Sequence, residues 1–251
     1  MSATRPCDLT LIIACYNEEP HLAESVAAIE AVMAASKYTY ETLFIEDCST
    51  DGTAAVVRKL QQRPAAPKCV STRAIFHERN VGRGGTVKQG IEASNSPYVG
   101  FLDIDLEVGA EYIPRMLAAL EEDSDVATAM RQSTAGWSAK SIVRYLLSWG
   151  YRGVFHVLFR SPLRDTETGY KFFRREAILP ALAETKNSGW FWDTEIMVLA
   201  WLHGLSIREI SCPFIRRDEK ASTVRIFYDV PAYLQALVKF RRQVAGRRRK
   251  P

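Results

Sequence analysis

The chain has 251 residues, of which 47% are hydrophobic and 25% charged, as in a soluble globular protein with one large α/β domain or two small ones. No apolar run approaches the roughly 18 residues of a membrane span, and no apolar signal segment precedes the first predicted strand. The five cysteines are scattered without a Cys-x-x-Cys pair, which argues against a disulfide framework or a zinc site. These features predict a cytoplasmic protein.

The net charge of +4 is unevenly distributed along the chain. Residues 239–251 carry seven positive charges and no negative ones, so residues 1–238 have a net charge of −3. Such a basic tail suits an anionic membrane surface, where each Lys or Arg contributes about 1 kcal/mol. Nucleic-acid binding and a disordered solubilising end are the alternatives for the tail.

Strand and helix patterns alternate in the first half of the chain. Strands are predicted at 9–16, 40–47, 69–77, 98–103 and 126–131, and helices at 21–36, 51–62, 83–94 and 110–121. This βαβ repetition predicts an α/β fold with a doubly wound, mostly parallel sheet.

The alternation breaks after residue 132. The later patterns predict a long apolar helix at 140–159, a strand at 170–174, helices at 176–185 and 193–203, a strand at 206–210 and an amphipathic segment at 226–244. We therefore expect a single domain over residues 1–238, followed by the basic tail at 239–251. Within the domain, residues 9–131 would bind a nucleotide and residues 132–238 an acceptor.

Two carboxylates follow the predicted strand at 98–103. Asp103 and Asp105 are two residues apart, so they point to the same side at the carboxyl end of a buried parallel strand, where open α/β sheets bind ligands. Hard oxygen ligands suit Mg²⁺ or Mn²⁺ completed by substrate phosphates. A solvated loop or a helix cap is the alternative for this motif.

Three other segments combine a strand end or a glycine-rich turn with polar residues. In 46–53, a carboxylate could accept a hydrogen bond from a uracil or guanine base, and in 11–19 backbone groups and Glu18 could hold a ribose or base. In 79–88, glycines, basic side chains and a helix N-terminus favour a diphosphate. A capped turn, an ordinary loop and a plain glycine-rich turn are the respective alternatives.

A polar stripe marks the predicted helix at 140–159. Arg144, Ser148, Arg152 and His156 recur every four residues on an otherwise apolar pattern. A helix of this kind could lie in a membrane interface, or it could be a core helix with one wet face.

Taken in order, the motifs resemble family 2 glycosyltransferases of GT-A fold. They are Tyr-Asn-Glu at 16–18, Glu-Asp-x-Ser-x-Asp-Gly-Thr at 46–53, Asn-x-Gly-x-Gly at 80–84 and Asp-x-Asp at 103–105. The downstream segments 164–175 and 192–195 are similar to those of dolichyl- and polyprenyl-phosphate hexosyltransferases. The resemblance covers roughly residues 9–225.

The resemblance implies a donor site for a UDP- or GDP-linked sugar and a divalent cation. Asp47 matches the base-recognising aspartate, Asp105 the principal metal ligand and Glu46 a position where Asp is commoner. The implied metal ligands are Asp103, Asp105 and Glu107. The implied donor-binding residues are Ala14, Tyr16, Glu18, Asp47, Gly82, Lys88, Asp103, Ile104 and Asp105.

The same resemblance implies acceptor-side and catalytic residues. The acceptor group comprises Arg131, Arg144, Ser148, Asp165 and Arg174. The catalytic group comprises Asp105, Arg131, Arg144, Asp193 and Glu195.

The expected activity is an inverting, metal-dependent transfer of a hexose to a polyprenyl or dolichyl phosphate. A phosphate monoester is largely dianionic at neutral pH, so it needs positioning by arginines rather than a base. A sugar hydroxyl or small alcohol is the alternative acceptor and would need a base, with Asp193, Glu195 and then Asp165 as candidates. The expected location is the cytoplasm or the cytoplasmic face of a membrane. No nucleic-acid partner is expected, because that function would leave the carboxylate motifs without a purpose.

Overall fold

The computed structural model describes residues 7–133, 153, 155–215 and 226–250, with side chains for all but 133 and 226–232. The strands are β1 (Leu9–Cys15), β2 (Tyr40–Glu46), β3 (Cys69–Phe76), β4 (Tyr98–Leu102), β5 (Val126–Ser133), β6 (Tyr170–Arg174) and β7 (Ile207–Phe214). The helices are α1 (Leu22–Ala35), α2 (Thr53–Gln62), α3 (Arg83–Ala93), α4 (Ile113–Glu122), α5 (Arg175–Glu184), α6 (Trp192–Leu202) and α7 (Ile226–Gln243).

The seven strands form one sheet in the order β3-β2-β1-β4-β6-β5-β7. Strands β1 to β4 are parallel, β5 is parallel to β7, and β6 runs antiparallel to both β4 and β5. The strand order reverses beside β1, with β2 on one side and β4 on the other. Ligands in open α/β sheets bind at such a switch point, beyond the carboxyl ends of the strands.

Helices cover both faces of the sheet. Side chains two apart on β1 alternate between the faces, so Leu9, Leu11 and Ile13 share one core with α1, α2 and α4. Ile12 joins the other core, which contains side chains of α3, α5, α6 and α7. Both faces of the strands are therefore buried, which accounts for their continuous apolar sequences.

These features confirm the predicted α/β fold with a doubly wound, mostly parallel sheet. The antiparallel direction of β6 was not predicted, because the apolar pattern of a buried strand does not indicate its direction. The predicted helix at 110–121 is divided into a 3₁₀ turn at Ala110–Tyr112 and α4. The predicted strand at 206–210 is longer in the structure, where β7 pairs with β5 along its whole length.

The predicted boundary between domain and tail at residue 238 falls inside α7. Its last turns include Lys239, Arg241 and Arg242, and the residues that follow pack back onto the domain. The Lys250 backbone N–H donates to the Leu202 carbonyl at 3.0 Å, and Arg247 pairs with Glu184 at 2.6 Å. The tail is therefore partly held by contacts with α5 and α6.

Most of the predicted apolar helix at 140–159 lies outside the described residues, including Arg144, Ser148 and Arg152. Residues 155–159 are helical, and Phe159 packs against Phe240 of α7 with ring centroids 5.6 Å apart. Among the described helices, none combines the length and apolar character needed to cross a membrane.

Candidate active site

The carboxyl ends of β4, β5 and β7 and the start of β6 surround a solvent-open cleft of about 300 Å³. Its walls include three carboxylates, one arginine and two aromatic rings. The lining residues are Asp103, Asp105, Glu107, Val108, Arg131, Thr168, Gly169, Tyr170 and Phe214. The sequence-predicted metal ligands and Arg131 therefore meet in one cleft at the expected edge of the sheet.

The segment 103–107 forms a tight turn directly after β4. The Asp103 N–H donates to the Gly169 carbonyl at 2.8 Å, and the Leu106 N–H donates to the Asp103 carbonyl at 3.1 Å. Leu106 has a φ of 52°, a left-handed conformation that is costly for a non-glycine residue and typical of functional turns. The Glu107 N–H donates to Oδ1 of Asp105 at 3.3 Å. This turn aims the two later carboxylates into the cleft.

The donor set of the cleft fits a hard divalent cation. Asp103, Asp105 and Glu107 supply carboxylate oxygens, the ligands that Mg²⁺ and Mn²⁺ prefer. Within the described ranges, no three acidic, His or Cys side chains are close enough together to enclose an ion. The residues therefore suit a cation held by one or two carboxylates and completed by substrate phosphates rather than an all-protein metal cage.

Asp103 is committed to a charge chain that the sequence did not reveal. Oδ1 of Asp103 accepts hydrogen bonds from Nε and Nη2 of Arg83 at 3.0 and 2.7 Å. Nη1 of Arg83 donates to Asp193, which also accepts from Nζ of Lys171 at 2.9 Å. We call Asp103, Arg83, Asp193 and Lys171 the charge chain.

Burial and ion pairing act in opposite directions on the two cations of the charge chain. Burial lowers the pKa of Lys171, although Asp193 opposes this effect. Burial also disfavours the charged guanidinium of Arg83, but Asp103 and Asp193 outweigh it and raise the pKa of Arg83. Asp193 is 1% exposed and pairs with two cations, a placement that does not favour the alternative role of general base.

Arg131 lies at the end of β5 and is oriented by Asp165. Nε and Nη2 of Arg131 donate to the two oxygens of Asp165 at 2.8 and 2.9 Å, a bidentate pair. Burial by itself would raise the pKa of Asp165, but Arg131 holds it below its ordinary value. Glu167 lies 3.9 Å from Nη2 of Arg131. Asp165 thus fixes the Arg131 guanidinium at the cleft and does not itself line it.

Asp47 organises a loop in this structure. Its Oδ1 accepts from the Val81 N–H at 2.8 Å, and its Oδ2 accepts from the Gly82 N–H at 2.9 Å. Nδ1 of His77 lies 2.7 Å from Oδ1. Because Asp47 is buried among these groups, its placement does not support the predicted direct contact with a nucleotide base.

The glycine-rich segment at 79–88 packs against protein where a diphosphate was predicted. The Gly82 N–H is taken by Asp47, and the Gly85 N–H donates to the Ser188 carbonyl at 3.0 Å. Gly82 has a φ of 90°, and a Cβ there would lie 2.6 Å from the Ser188 carbonyl oxygen. Nζ of Lys88 donates to the Thr185 carbonyl at 3.3 Å. These contacts do not support the predicted donor contacts of Gly82 and Lys88.

The remaining predicted donor residues lie at the carboxyl ends of β1 and β4. Tyr16 is 48% exposed just after β1, and the Glu18 N–H donates to Oγ1 of Thr53 at 2.8 Å. Ala14 is near the end of β1, and the side chain of Ile104 is buried in the core. Only the backbone of Ile104 is thus suited to a ligand contact.

The predicted acceptor residue Arg174 and the predicted catalytic residue Glu195 both bind backbone groups of the protein. Arg174 pairs with Tyr98 at the opposite edge of the sheet, and its guanidinium donates to the carbonyls of Leu120 and Ser124. This placement does not support its predicted contact with a phosphate. Glu195 is buried, which raises its pKa, and it accepts backbone hydrogen bonds from Lys186 and Asn187. These contacts do not support catalysis by Glu195.

The sequence reasoning missed Arg83, Lys171, Gly169 and Trp190. Arg83 was considered only as part of a basic segment, whereas its guanidinium lies between the rings of Phe101 and Trp190, 5.4 and 5.2 Å from their centres. A lysine within the apolar sequence of β6 is the signal that the sequence offers, because lysine is rarely buried. The exposure of the Trp190 indole is visible only in the structure. Their partners are too distant along the chain to be identified from sequence.

The sequence of this chain matches a known protein family. The model of glycosyl transferase family 2 matches residues 10–179, more than half of the chain. Dolichyl-phosphate beta-glucosyltransferases from Saccharomyces cerevisiae and Homo sapiens are 25% and 27% identical over 80% and 81% of this chain. The glycosyltransferase AglD of Haloferax volcanii is 25% identical over 87% of it. The matches span 65%, 66% and 35% of those three proteins, respectively.

Solved structures share the fold. Glucosyl-3-phosphoglycerate synthase from Mycobacterium tuberculosis aligns with a TM-score of 0.67 at 14% identity, covering 94% of this chain and 80% of that one. TarS 1–349 from S. aureus aligns with a TM-score of 0.59 at 17% identity, covering 93% and 66%. These similarities confirm the predicted GT-A fold. The chain therefore belongs to glycosyl transferase family 2.

Proposed function

We propose that the protein transfers a hexose, with inversion, from a UDP- or GDP-linked sugar to a polyprenyl or dolichyl phosphate, with Mg²⁺ or Mn²⁺ bound at the cleft. The observation that carries this proposal is the meeting of the carboxylates of the 103–107 turn with the Asp165-oriented guanidinium of Arg131 in one cleft. One wall can hold a cation with its diphosphate, and the other presents a cation suited to a second phosphate.

The functions of similar proteins favour the same activity. The yeast and human relatives are dolichyl-phosphate beta-glucosyltransferases, which supports a lipid phosphate as acceptor and a hexose as the transferred group. The mycobacterial synthase was crystallised with Mn²⁺ and UDP-glucose, which supports a nucleotide sugar and a divalent cation. The transfer screen below determines which base the donor carries and which hexose is transferred.

Asp105 and Glu107, which line the cleft, are the residues that would hold the cation, with Asp103 bound to Arg83 beside them. A bound cation supplies Lewis-acid stabilisation of the departing nucleoside diphosphate. Arg131 would grip the acceptor phosphate, and Asp165 fixes the plane of the guanidinium toward it. Holding both phosphates in one cleft would favour attack of the acceptor phosphate oxygen on the anomeric carbon.

A phosphate acceptor agrees with the positions of the acidic side chains. The dianion needs no base, whereas a hydroxyl acceptor does. Of the carboxylates considered as bases, Asp193 pairs with Arg83 and Lys171, Glu195 accepts backbone hydrogen bonds from Lys186 and Asn187, and Asp165 binds Arg131. These contacts favour the phosphate acceptor over the hydroxyl alternative.

We also propose that an anionic membrane surface is a partner. Leu234 and Val238 are exposed on one face of α7, next to exposed Lys239 and Arg242. Apolar residues flanked by basic ones favour a position at a lipid interface. The neighbouring Tyr233 packs on Phe191 with ring centroids 5.1 Å apart, which links this face to the start of α6. A cytoplasmic, peripheral location follows from this proposal.

A transfer screen tests the proposed function. Purified protein is incubated with UDP- or GDP-linked hexoses, Mg²⁺ or Mn²⁺, and a short polyprenyl phosphate, and lipid-linked hexose is detected by mass spectrometry. We expect cation-dependent product that is absent in Asp105→Ala. An unaltered yield in Asp105→Ala would contradict the role of Asp105, and donor turnover without lipid product would contradict the acceptor.

A further inference from the structure

Arg83 connects two parts of the molecule that the chain separates by more than a hundred residues. It is the first residue of α3, and its side chain is only 13% exposed. On one side it binds Asp103 through two nitrogens, and on the other it binds Asp193 in the first turn of α6. The planar guanidinium presents five donors in a fixed fork, so one arginine can bind Asp103 through two nitrogens and Asp193 through the third.

The backbone of Gly169 is shaped to this bridge. A Cβ at Gly169 would overlap both Oδ2 of Asp103 and Nη2 of Arg83. The Gly169 carbonyl meanwhile accepts the Asp103 N–H at 2.8 Å. Glycine at position 169 therefore lets the start of β6 lie directly against the ion pair. The 103–107 turn is fixed there through both the backbone N–H and the side chain of Asp103.

The α6 end of the bridge is equally fixed. Lys171 is fully buried and binds Asp193. The charge chain therefore contains two cations and two carboxylates, with a formal net charge of zero. Gly84 packs against Trp192, where a Cβ would overlap the indole side chain. The N-termini of α3 and α6 are thus in direct contact around Arg83.

We propose that Arg83 is a positioning residue that holds the 103–107 turn and helix α6 in a fixed relation, so that donor and acceptor are aligned for transfer. The proposal rests on the proposed function for its kinetic consequence. The mechanical coupling of turn and helix does not depend on which acceptor is used. Misalignment slows the chemical step more than it weakens binding of either substrate.

A direct contact between Arg83 and the donor is the competing explanation. In that case, loss of the guanidinium would weaken nucleotide binding, and the turn and helix would keep their native stability. A positioning role predicts the reverse pattern. The two explanations therefore differ in nucleotide affinity and in local protection of the backbone, neither of which requires turnover.

The test compares Arg83→Met and Arg83→Lys with Arg63→Met. Arg63 pairs with Glu30 on the surface between α2 and α1, so its removal is a matched loss of an arginine–carboxylate pair. Asp103 is partly exposed, so water can solvate it when Arg83 is replaced by Met, and Arg83→Lys keeps the positive charge in case Arg83→Met does not fold. Folding is checked by circular dichroism.

The first readout is hydrogen–deuterium exchange over 103–107 and 190–197. We expect both segments to exchange at least fivefold faster in Arg83→Met and in Arg83→Lys, and neither to change in Arg63→Met. Unchanged exchange in either segment would overturn the coupling. This result is independent of the acceptor, so it separates failure of the positioning role from failure of the proposed function.

The second readout separates binding from catalysis. Calorimetric titration with UDP or GDP and Mn²⁺ should give affinities within about threefold of the wild type for both Arg83 variants. With the acceptor found in the transfer screen, kcat should fall about 30-fold or more. A tenfold loss of nucleotide affinity with unchanged kcat would make Arg83 a donor ligand and overturn the proposal.

Discussion

The loops after β1 and β2 and the elements around Arg131 and Asp193 meet at the same edge of the sheet, but different interactions hold them. The two loops bind each other through backbone N–H groups and polar side chains, as in the Thr50 N–H to Asn17 and the Gly52 N–H to Glu19, both at 2.8 Å. Ion pairs to the buried carboxylates of Asp165 and Asp193 fix the elements around Arg131 and Asp193.

This difference determines how each region responds to substitution. A hydrogen bond at an exposed turn contributes about 1 kcal/mol, and its loss leaves groups that water can solvate. Removal of one partner from a buried ion pair leaves an uncompensated charge in the interior, which costs several times more. We therefore expect substitutions around Arg131 and Asp193 to lower the free energy of unfolding more than substitutions in the loops after β1 and β2. This holds although the elements around Arg131 and Asp193 carry fewer of the family motifs.

The largest expected effect is that of Asp193→Ala. It leaves Lys171 and Arg83 without their shared carboxylate, so we expect the free energy of unfolding to fall by about 3–5 kcal/mol. Asp51→Ala, which removes the acceptor of the Thr53 N–H at the start of α2, should cost about 1 kcal/mol. Urea denaturation measures both. Equal losses in the two variants would remove the distinction between the regions.

Arg131→Met tests the acceptor side by function. Loss of a charge-assisted contact to the acceptor phosphate, worth about 1.5–3 kcal/mol, should raise the acceptor KM about 10- to 100-fold. Arg174→Met is the matched control because Arg174 binds the Leu120 and Ser124 carbonyls at the far edge of the sheet. We expect its acceptor KM to be unchanged. A larger KM effect at Arg174 than at Arg131 would reverse the assignment.

Gly169→Ala tests how closely the 103–107 turn is packed. The added methyl group would overlap Asp103 and Arg83, and relief of such overpacking costs about 1–3 kcal/mol. Thermal unfolding should show this loss. Gly153→Ala is the control, because a Cβ at Gly153 would meet no atom of the described residues within 4 Å. A melting temperature of Gly169→Ala equal to that of the control would show that the turn can move freely.

The smallest expected effect is a pH dependence from Asp165. Its pKa lies below the unfolded value of about 3.9, so its ion pair stabilises the fold above that value and is lost as pH falls through the folded pKa. Asp165→Asn should therefore be less stable than the wild type at pH 7, with a gap that narrows below about pH 4. Urea denaturation at several pH values measures the gap, and a gap that widens on acidification would contradict this account.

The contrast between the regions also explains what the sequence could predict. The alternating patterns located the strands, and parallel strands bring Asp103, Asp105 and Arg131 to one edge by topology alone. Local capping was also within reach, as with Asp51 and Thr53. These predictions depend on spacing along the chain, which a sequence displays directly.

The contacts of Asp193, Arg174 and Asp47 could not be predicted, because they do not depend on spacing along the chain. Asp193 is 110 residues from Arg83, and no local pattern indicates that they pair. The position of Arg174 depends on the antiparallel direction of β6, and an apolar run does not specify the direction of a strand. Asp47 is separated by 34 residues from the Val81 N–H that it accepts. In each case a distant partner, rather than the residue type, decides what the side chain does.

The most direct test of the central claim compares polyprenyl phosphate with the corresponding polyprenol, which lacks the phosphate. With the active donor and cation, we predict hexose transfer to the phosphate alone, with a rate that is flat above about pH 7 because the acceptor is already dianionic. Transfer to the polyprenol at a comparable rate would contradict the account. It would show that the enzyme uses a base, and Glu167, whose pKa burial raises, would then be the carboxylate to replace.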